Sequence, residues 1–283
     1  MYKYIRNLRH KKIFSHILIW RILGYCFRIV IAYLPFNFSI KQNITKNFTF
    51  RMHAIFAFSN FKEWGNKHNN FFDLYVKKAK KIKCFLDVGS HIGIVTLPIA
   101  QVMRKNGMVY SFEPSIKNLF FLRFHLKINN VKNVKVIDKV ISSKINPNFS
   151  FYESLDATGM NSIIPLKEKK ITRHVKLESI SLDYFCFKNS IIPDFIKVDI
   201  EGSEIELLKG SIKIMKKYKP IFFLSYHPHH IKKLGYKDDD FFKIIDKLSY
   251  KIYDQNLAKP AEMKNSEYLI VPKNFNLKKF IND

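Results

Sequence analysis

Three short runs in this chain bring together residue types that do chemistry. The first is Phe85-Leu86-Asp87-Val88-Gly89-Ser90-His91-Ile92-Gly93, an apolar run that closes on an acidic residue and two glycines before a helical pattern opens. Glycines at such a turn let the main chain approach a ligand, and a helix N-terminus offers it unpaired N–H groups. The dinucleotide fingerprint G-x-G-x-x-G is not met, because His91 and Ile94 stand where its second and third glycines would fall. The second run, Tyr110-Ser111-Phe112-Glu113-Pro114, ends a second strand, and Glu113 lies 24 residues past Gly89. A carboxylate at that place accepts both hydrogen bonds of a ribose diol. Together the two runs specify a nucleoside-bearing ligand and argue against a nicotinamide dinucleotide.

The third run is Asp199-Ile200-Glu201-Gly202, directly after an apolar segment. Two carboxylates on one turn repel, which raises the affinity of at least one for a proton or a cation. Glu201 and Glu204 also read as charges favoured on the first turn of a helix, the preferred reading for Glu204. Ser203 and Glu206 have the spacing of a capping box. Ser225-Tyr226-His227-Pro228-His229-His230 invites a metal reading, since imidazoles are common ligands. His229 and His230 are adjacent and cannot easily face one ion, so no metal is expected, and His227 is read as a base or substrate contact. His91 reads equally as a loop residue whose backbone matters more than its ring.

The elements that must carry these runs alternate. Strands are expected at Cys84–Val88, Val109–Phe112, Val134–Ile141, Phe195–Val198, Ile221–Tyr226, Tyr250–Tyr253 and Tyr268–Val271. Helices are expected at Ile92–Asn106, Ser115–Asn130, Ser203–Tyr218 and Asp239–Leu248. That rhythm predicts an α/β fold with a mainly parallel sheet covered on both faces, whose ligand crevice lies beyond the carboxyl ends of the strands. Residues 148–178 break it with short alternating runs, the pattern of an inserted antiparallel hairpin. Residues 1–82 read as a basic, largely helical N-terminal extension, with a helical run at Phe71–Lys83, and residues 83–283 as the catalytic domain.

Composition narrows the class. The chain has 283 residues, 47% of them hydrophobic, which excludes wholesale disorder. Three cysteines at unrelated spacings exclude a disulfide framework or zinc ribbon and fit a reducing, cytoplasmic setting. The net charge of +26 is unevenly spread: 17 of the 49 basic residues fall within residues 1–83, against only Glu63 and Asp73. The apolar stretch Ile13–Phe38 is interrupted by Arg21 and Arg28, so it lacks the ~18 uncharged residues of a spanning helix. Two readings stay open for residues 1–38: peripheral contact with an anionic membrane face, or a helix packed on the catalytic domain.

From Lys83 to Pro228 the sequence resembles the FkbM family of S-adenosylmethionine-dependent methyltransferases. The resemblance rests on Leu86–Gly93, Phe112-Glu113-Pro114, Ser181-Leu182-Asp183 and Ile196–Glu204, the last being the most family-specific. It implies a class I, Rossmann-like sheet with an antiparallel last strand, and S-adenosyl-L-methionine as cofactor. Asp87, Gly89, Ser90, His91 and Gly93 would then surround its methionine and ribose part, Glu113 and Pro114 would meet the ribose, and Asp138 would meet the adenine amine. Methyl transfer to oxygen needs a hydroxyl proton removed, for which Asp199 or His227 could serve as base, beside Glu201. The family implies a hydroxyl of a sugar, glycan or related small molecule as acceptor. An RNA acceptor has only the basic excess in its favour, without an Asn-Pro-Pro-Tyr motif or RNA-binding module. A non-catalytic membrane- or nucleic-acid-binding protein is disfavoured by the intact Asp87, Gly89, Glu113 and Asp199.

Overall fold

Phe85-Leu86-Asp87-Val88 and Phe195-Ile196-Lys197-Val198 are apolar except for one charge each, the composition of strands covered on both faces. In the computed structural model they lie side by side at the centre of a seven-stranded sheet. The structure describes residues 37–62, 64–65, 69–103, 105–154, 161 and 172–283, with Gly24, Cys26, Phe27, Val30 and Ile31 in the segment before them. The expected helical stretch and membrane contact of residues 1–38 therefore lie almost wholly outside the described residues. No helix among the described residues is long and apolar enough to cross a membrane.

In chain order the strands are β1 (Ser39–Ile44), β2 (Phe48–His53), β3 (Cys84–Val88), β4 (Met108–Phe112), β5 (Val134–Ile137), β6 (Val140–Ile141), β7 (Asn146–Ser154), β8 (Thr172–Ile180), β9 (Phe195–Val198), β10 (Ile221–Tyr226), β11 (Tyr250–Tyr253) and β12 (Ser266–Pro272). The main sheet runs β11-β12-β10-β9-β3-β4-β5. Neighbours from β10 to β5 are parallel, and β12 is antiparallel to both β10 and β11, as the sequence implied for the last strand. Alternate residues of the central strands feed two apolar clusters. Leu86, Val88, Ile196 and Val198 join one, and Phe85, Phe195, Phe223 and Val109 the other.

The second cluster also takes in residues before Lys83. Helix α1 (Phe72–Ala79) sets Tyr75 edge-on to Phe223 with ring centroids 5.0 Å apart. Ile44, Phe50 and Met52 of the β1–β2 hairpin pack in the same cluster. Residues 39–53 of the extension expected to be largely helical are thus strands, as the alternation of buried Phe50 and Met52 with exposed Arg51 requires.

Three further boundaries differ from expectation. The helix after β3 is α2 (Thr96–Val102), because Gly89, His91 and Gly93 all have positive φ and the chain cannot coil before Thr96. The strand expected at Val134–Ile141 leaves the main sheet at Asp138 and resumes as β6, which pairs with β8 of the inserted β7–β8 hairpin. The helix expected over Ser203–Tyr218 is two, α5 (Glu204–Lys209) and α6 (Ile212–Tyr218), after α3 (Ile116–Ile128) and α4 (Leu182–Lys188). They break at Gly210, whose Cβ would stand 2.3 Å from the Ser142 carbonyl oxygen. Asp183 then takes the N–H groups of Lys213 and Ile214 at the start of α6, which gives the Ser-Leu-Asp run its structural use. The capping box is not formed: Ser203 caps nothing with its side chain, and Glu206 turns to Lys209 and Tyr236. Helices α7 (Pro228–Lys233), α8 (Asp238–Lys247) and α9 (Leu277–Asn282) complete the fold.

Candidate active site

The carboxyl ends of β3, β4, β9 and β10 open on one cavity of about 760 Å³, within the roughly 300–1,000 Å³ of small-molecule sites. Gly89, Ser90, His91, Glu113 and Pro114 line one part, and Asp199, Glu201 and His227 another, so eight of the residues singled out in sequence meet around one space. Gly93 supports the wall from behind, with φ +94° and Leu122 where a Cβ would go.

The glycine turn is held by charge as well as by shape. Asp87 and Lys197 are paired in register across β3 and β9, and both are buried. The Lys197 ammonium donates to the Gly89 carbonyl oxygen at 3.0 Å and lies 3.4 Å from Asp87 Oδ1 and 3.8 Å from Asp199 Oδ2. Burial alone would lower its pKa, but Asp87, Asp199 and Glu267 outweigh it and keep the ammonium charged. Asp87 accepts a 2.6 Å bond from Thr96 Oγ1 and does not reach the cavity. The expectation that it lines the cofactor site is corrected: it anchors the lysine that ties the glycine turn to the Asp199 turn. At Gly89, with φ +80°, a Cβ would stand 2.0 Å from the Asp199 carbonyl oxygen. Gly89→Ala is therefore expected to cost about 1–2 kcal/mol from the left-handed backbone alone, and to spread the two turns; thermal unfolding and S-adenosylhomocysteine titration of the variant check it.

Glu113 is buried and accepts hydrogen bonds from the His91 and Ser115 N–H groups, at 2.8 and 3.0 Å, and from the Asn118 amide at 3.3 Å. Burial pushes its carboxyl up to about 7 against the pull of those donors and of Lys197. His91 thus acts first through its backbone, at φ 51°, and its ring, pushed down to about 4 by burial, is neutral. Asp138 is corrected too. It sits at the exposed end of β5, 3.7 Å from Arg123, while its neighbour Lys139 lines the cavity.

Residues 87–253 match the family model of the FkbM methyltransferase domain. The chain belongs to the FkbM methyltransferase family. Its cofactor is S-adenosylmethionine, as the resemblance implied. A structure of an FkbM methyltransferase from Methylobacillus flagellatus KT shares 18% identity over 76% of this chain and 51% of that chain, with a TM-score of 0.43, so this chain spans about half of its length. An O-methyltransferase from Bacillus cereus in complex with SAH shares 13% identity over 71% of this chain and 78% of that one, with a TM-score of 0.44. Among curated proteins, none matches.

The cavity of this FkbM domain suits that cofactor in chemistry and shape. Glu113 lines it as a carboxyl acceptor, and Phe112, Val140 and Ile141 offer an apolar face beside it. Among the described wall residues, His91 Nε2, Trp64 Nε1, Asn69 Oδ1 and Ser203 Oγ are buried without a hydrogen-bond partner, as is His230 Nδ1 apart from its approach to Glu201. Such atoms mark where a polar ligand completes the structure. Trp64 and Asn69, with Phe56 and Phe61, come from the segment before Lys83, where sequence reading singled out no site residue. Lys197 was likewise passed over, and Glu204 was read only as a first-turn charge. The signal for Lys197 was legible as a lone cation in an apolar strand, matching the lone anion of Phe85-Leu86-Asp87-Val88. The wall residues carry no local signal, since only the packing of the hairpin and α1 on the sheet brings them here.

Proposed function

We propose that the protein transfers a methyl group from S-adenosylmethionine to a hydroxyl of a sugar, glycan or related small molecule. The observation that carries this reading is the convergence of Asp199, Glu201 and His227 on the cavity that Gly89 and Glu113 also line: His227 Nε2 is 3.7 Å from Asp199 Oδ1 and 4.0 Å from Glu201 Oε2. These are proton-accepting groups, which an oxygen nucleophile needs. S-adenosylmethionine supplies a methyl group on a sulfonium, and transfer to a hydroxyl releases neutral S-adenosylhomocysteine and one proton. The chain's own part is to orient the ribose through Glu113, to keep the glycine turn in place through Lys197, and to receive the proton at the Asp199–His227 rim. Phe56, Phe61 and Trp64 form an apolar wall, and Asn69 adds a free acceptor, a mixture that matches a ring with one C–H face and hydroxyl edges.

The test has two steps. Calorimetry on the full chain is expected to show one site for S-adenosylhomocysteine. Release of S-adenosylhomocysteine from S-adenosylmethionine is then expected to depend on an added saccharide or lipid-linked glycan, and not on RNA at ~0.15 M salt, where purely electrostatic association is weak. Turnover with RNA alone would replace this reading.

A further inference from the structure

Glu204 is fully buried at the first turn of α5 and contributes nothing to the cavity wall. Its Oε1 accepts the Gly202 N–H at 3.2 Å and lies 2.5 Å from His227 Nδ1, while its Oε2 is enclosed without a hydrogen-bond partner. Glu204 stands on the first turn of α5, as read from the sequence, and there it is buried against His227. His227, at the end of β10, is pinned at its inner nitrogen and presents Nε2 to the cavity side, where Asp199 and Glu201 stand. The groups facing the ring are Asp199 and Glu201 from the turn after β9, Glu204 from α5, and His230 from α7, its ring 6.3 Å away and its Nδ1 3.1 Å from Glu201. Lys197 stands behind Asp199 and draws that carboxylate toward the glycine turn.

A buried carboxylate on one nitrogen of an imidazole fixes the tautomer and aims the other nitrogen, the logic of proton-transferring histidines on unrelated folds. We propose that Glu204 is the positioning residue of His227, holding the ring so that Nε2, rather than the Asp199 carboxylate, takes the proton of the acceptor hydroxyl. The inference rests on the O-methyl transfer proposed above. As the acceptor oxygen gains the methyl group it gives up its hydrogen to Nε2 as a proton, the carbon–sulfur electron pair stays on sulfur, and the imidazolium formed keeps its Nδ1–H on Glu204.

The same pair sets the resting charge. Burial opposes the imidazolium, but the hydrogen bond and charge of Glu204, then the charges of Asp199 and Glu201, prevail and push His227 up to about 9. Burial also raises the Glu204 carboxyl. The pair therefore holds its proton at neutral pH, and the ring becomes a proton acceptor as the pH approaches 9 or as a bound sulfonium repels the imidazolium.

Nitrogen-15 NMR of the full chain with labelled histidines, His227 being assigned through His227→Asn, tests this on the protein alone and with S-adenosylhomocysteine added. In the wild type, the His227 ring is expected to titrate near 9, and the neutral ring above that midpoint is expected to carry its proton on Nδ1. In Glu204→Gln, whose amide oxygen can still take the Gly202 N–H, the midpoint is expected to fall by about one pH unit or more. The pH–rate profile of methyl transfer should move to acid with it, while S-adenosylhomocysteine affinity stays within about twofold. A neutral wild-type ring protonated on Nε2 would overturn the proposal without recourse to any variant, and so would a midpoint unchanged in Glu204→Gln. Failure to bind S-adenosylhomocysteine would instead sink the function proposed above, since the tautomer is read from the protein itself.

Discussion

Glu113→Gln is expected to weaken S-adenosylhomocysteine binding by about 100-fold or more. The ribose diol gives two hydrogen bonds to a charged acceptor, each worth about 1.5–3 kcal/mol, and the amide puts a donor where one of them needs an acceptor. The same exchange sets an N–H donor against either the His91 N–H or the Ser115 N–H, both of which now rest on the carboxylate. The pH dependence has a definite sign. Because burial raises the Glu113 carboxyl to about 7, its protonated form is the one favoured by folding. Ligand-free protein gains stability from this group at acid pH and loses it as the pH rises from the ordinary glutamate range through about 7. Ligand affinity runs the other way, rising through the same window as the carboxylate forms. Calorimetry from pH 5.5 to 8.5 checks both: wild-type affinity should climb and level off, and Glu113→Gln should stay weak and flat across the range. Equal affinity of the two proteins at pH 8.5 would remove Glu113 from the ribose site.

The second large effect is on the fold itself. Lys197→Met is expected to lose about 3–5 kcal/mol, the cost of leaving one member of a buried ion pair without its partner. The stranded group is Asp87, fully buried beneath the glycine turn, with Thr96 Oγ1 as its remaining donor. The double variant Asp87→Asn/Lys197→Met is expected to recover much of the loss, because no charge is then left buried. Urea unfolding of the four proteins closes the cycle. A coupling near zero would mean that Lys197 acts only through the Gly89 carbonyl.

The legibility of this molecule in its sequence follows from the range of the interactions concerned. Strands β3, β9 and β10 and the Gly89 and Glu113 turns announce themselves within ten residues, since a doubly covered strand must be apolar and a ligand turn must be small or acidic. Asp199 and His227 were readable for the same reason, each directly following an apolar strand. Asp87 was placed on the correct strand, but its burial against Lys197 and away from the cavity was not legible, because which way a strand residue points depends on what covers each face. The glycine at 210 is required by the approach of Ser142, and the surroundings of Glu204 are set by His227, 23 positions later. Neither neighbour is visible from the local pattern. The aromatic wall of Phe56, Phe61 and Trp64 lies furthest from any motif and owes its place to the packing of the first hairpin.

The order of the main sheet has a bearing on how the chain is made. Strand β12 is the last to be synthesised, yet it lies between β10 and β11, and its Glu267 takes the N–H of Phe71, 196 positions earlier, at 2.7 Å. At a translation rate of about 5–20 residues per second, the first hairpin and α1 wait roughly 10–40 s for that partner. For the last roughly 2–8 s of that interval, the time taken to make the 40 residues from Tyr226 to Ser266, β10, with Phe222, Phe223 and Leu224, is an unpaired apolar edge of the kind that recruits strands from other chains. Nascent or truncated chains lacking residues 266–272 are thus the aggregation-prone species of this protein, and slow synthesis of its C-terminal portion lengthens their exposure.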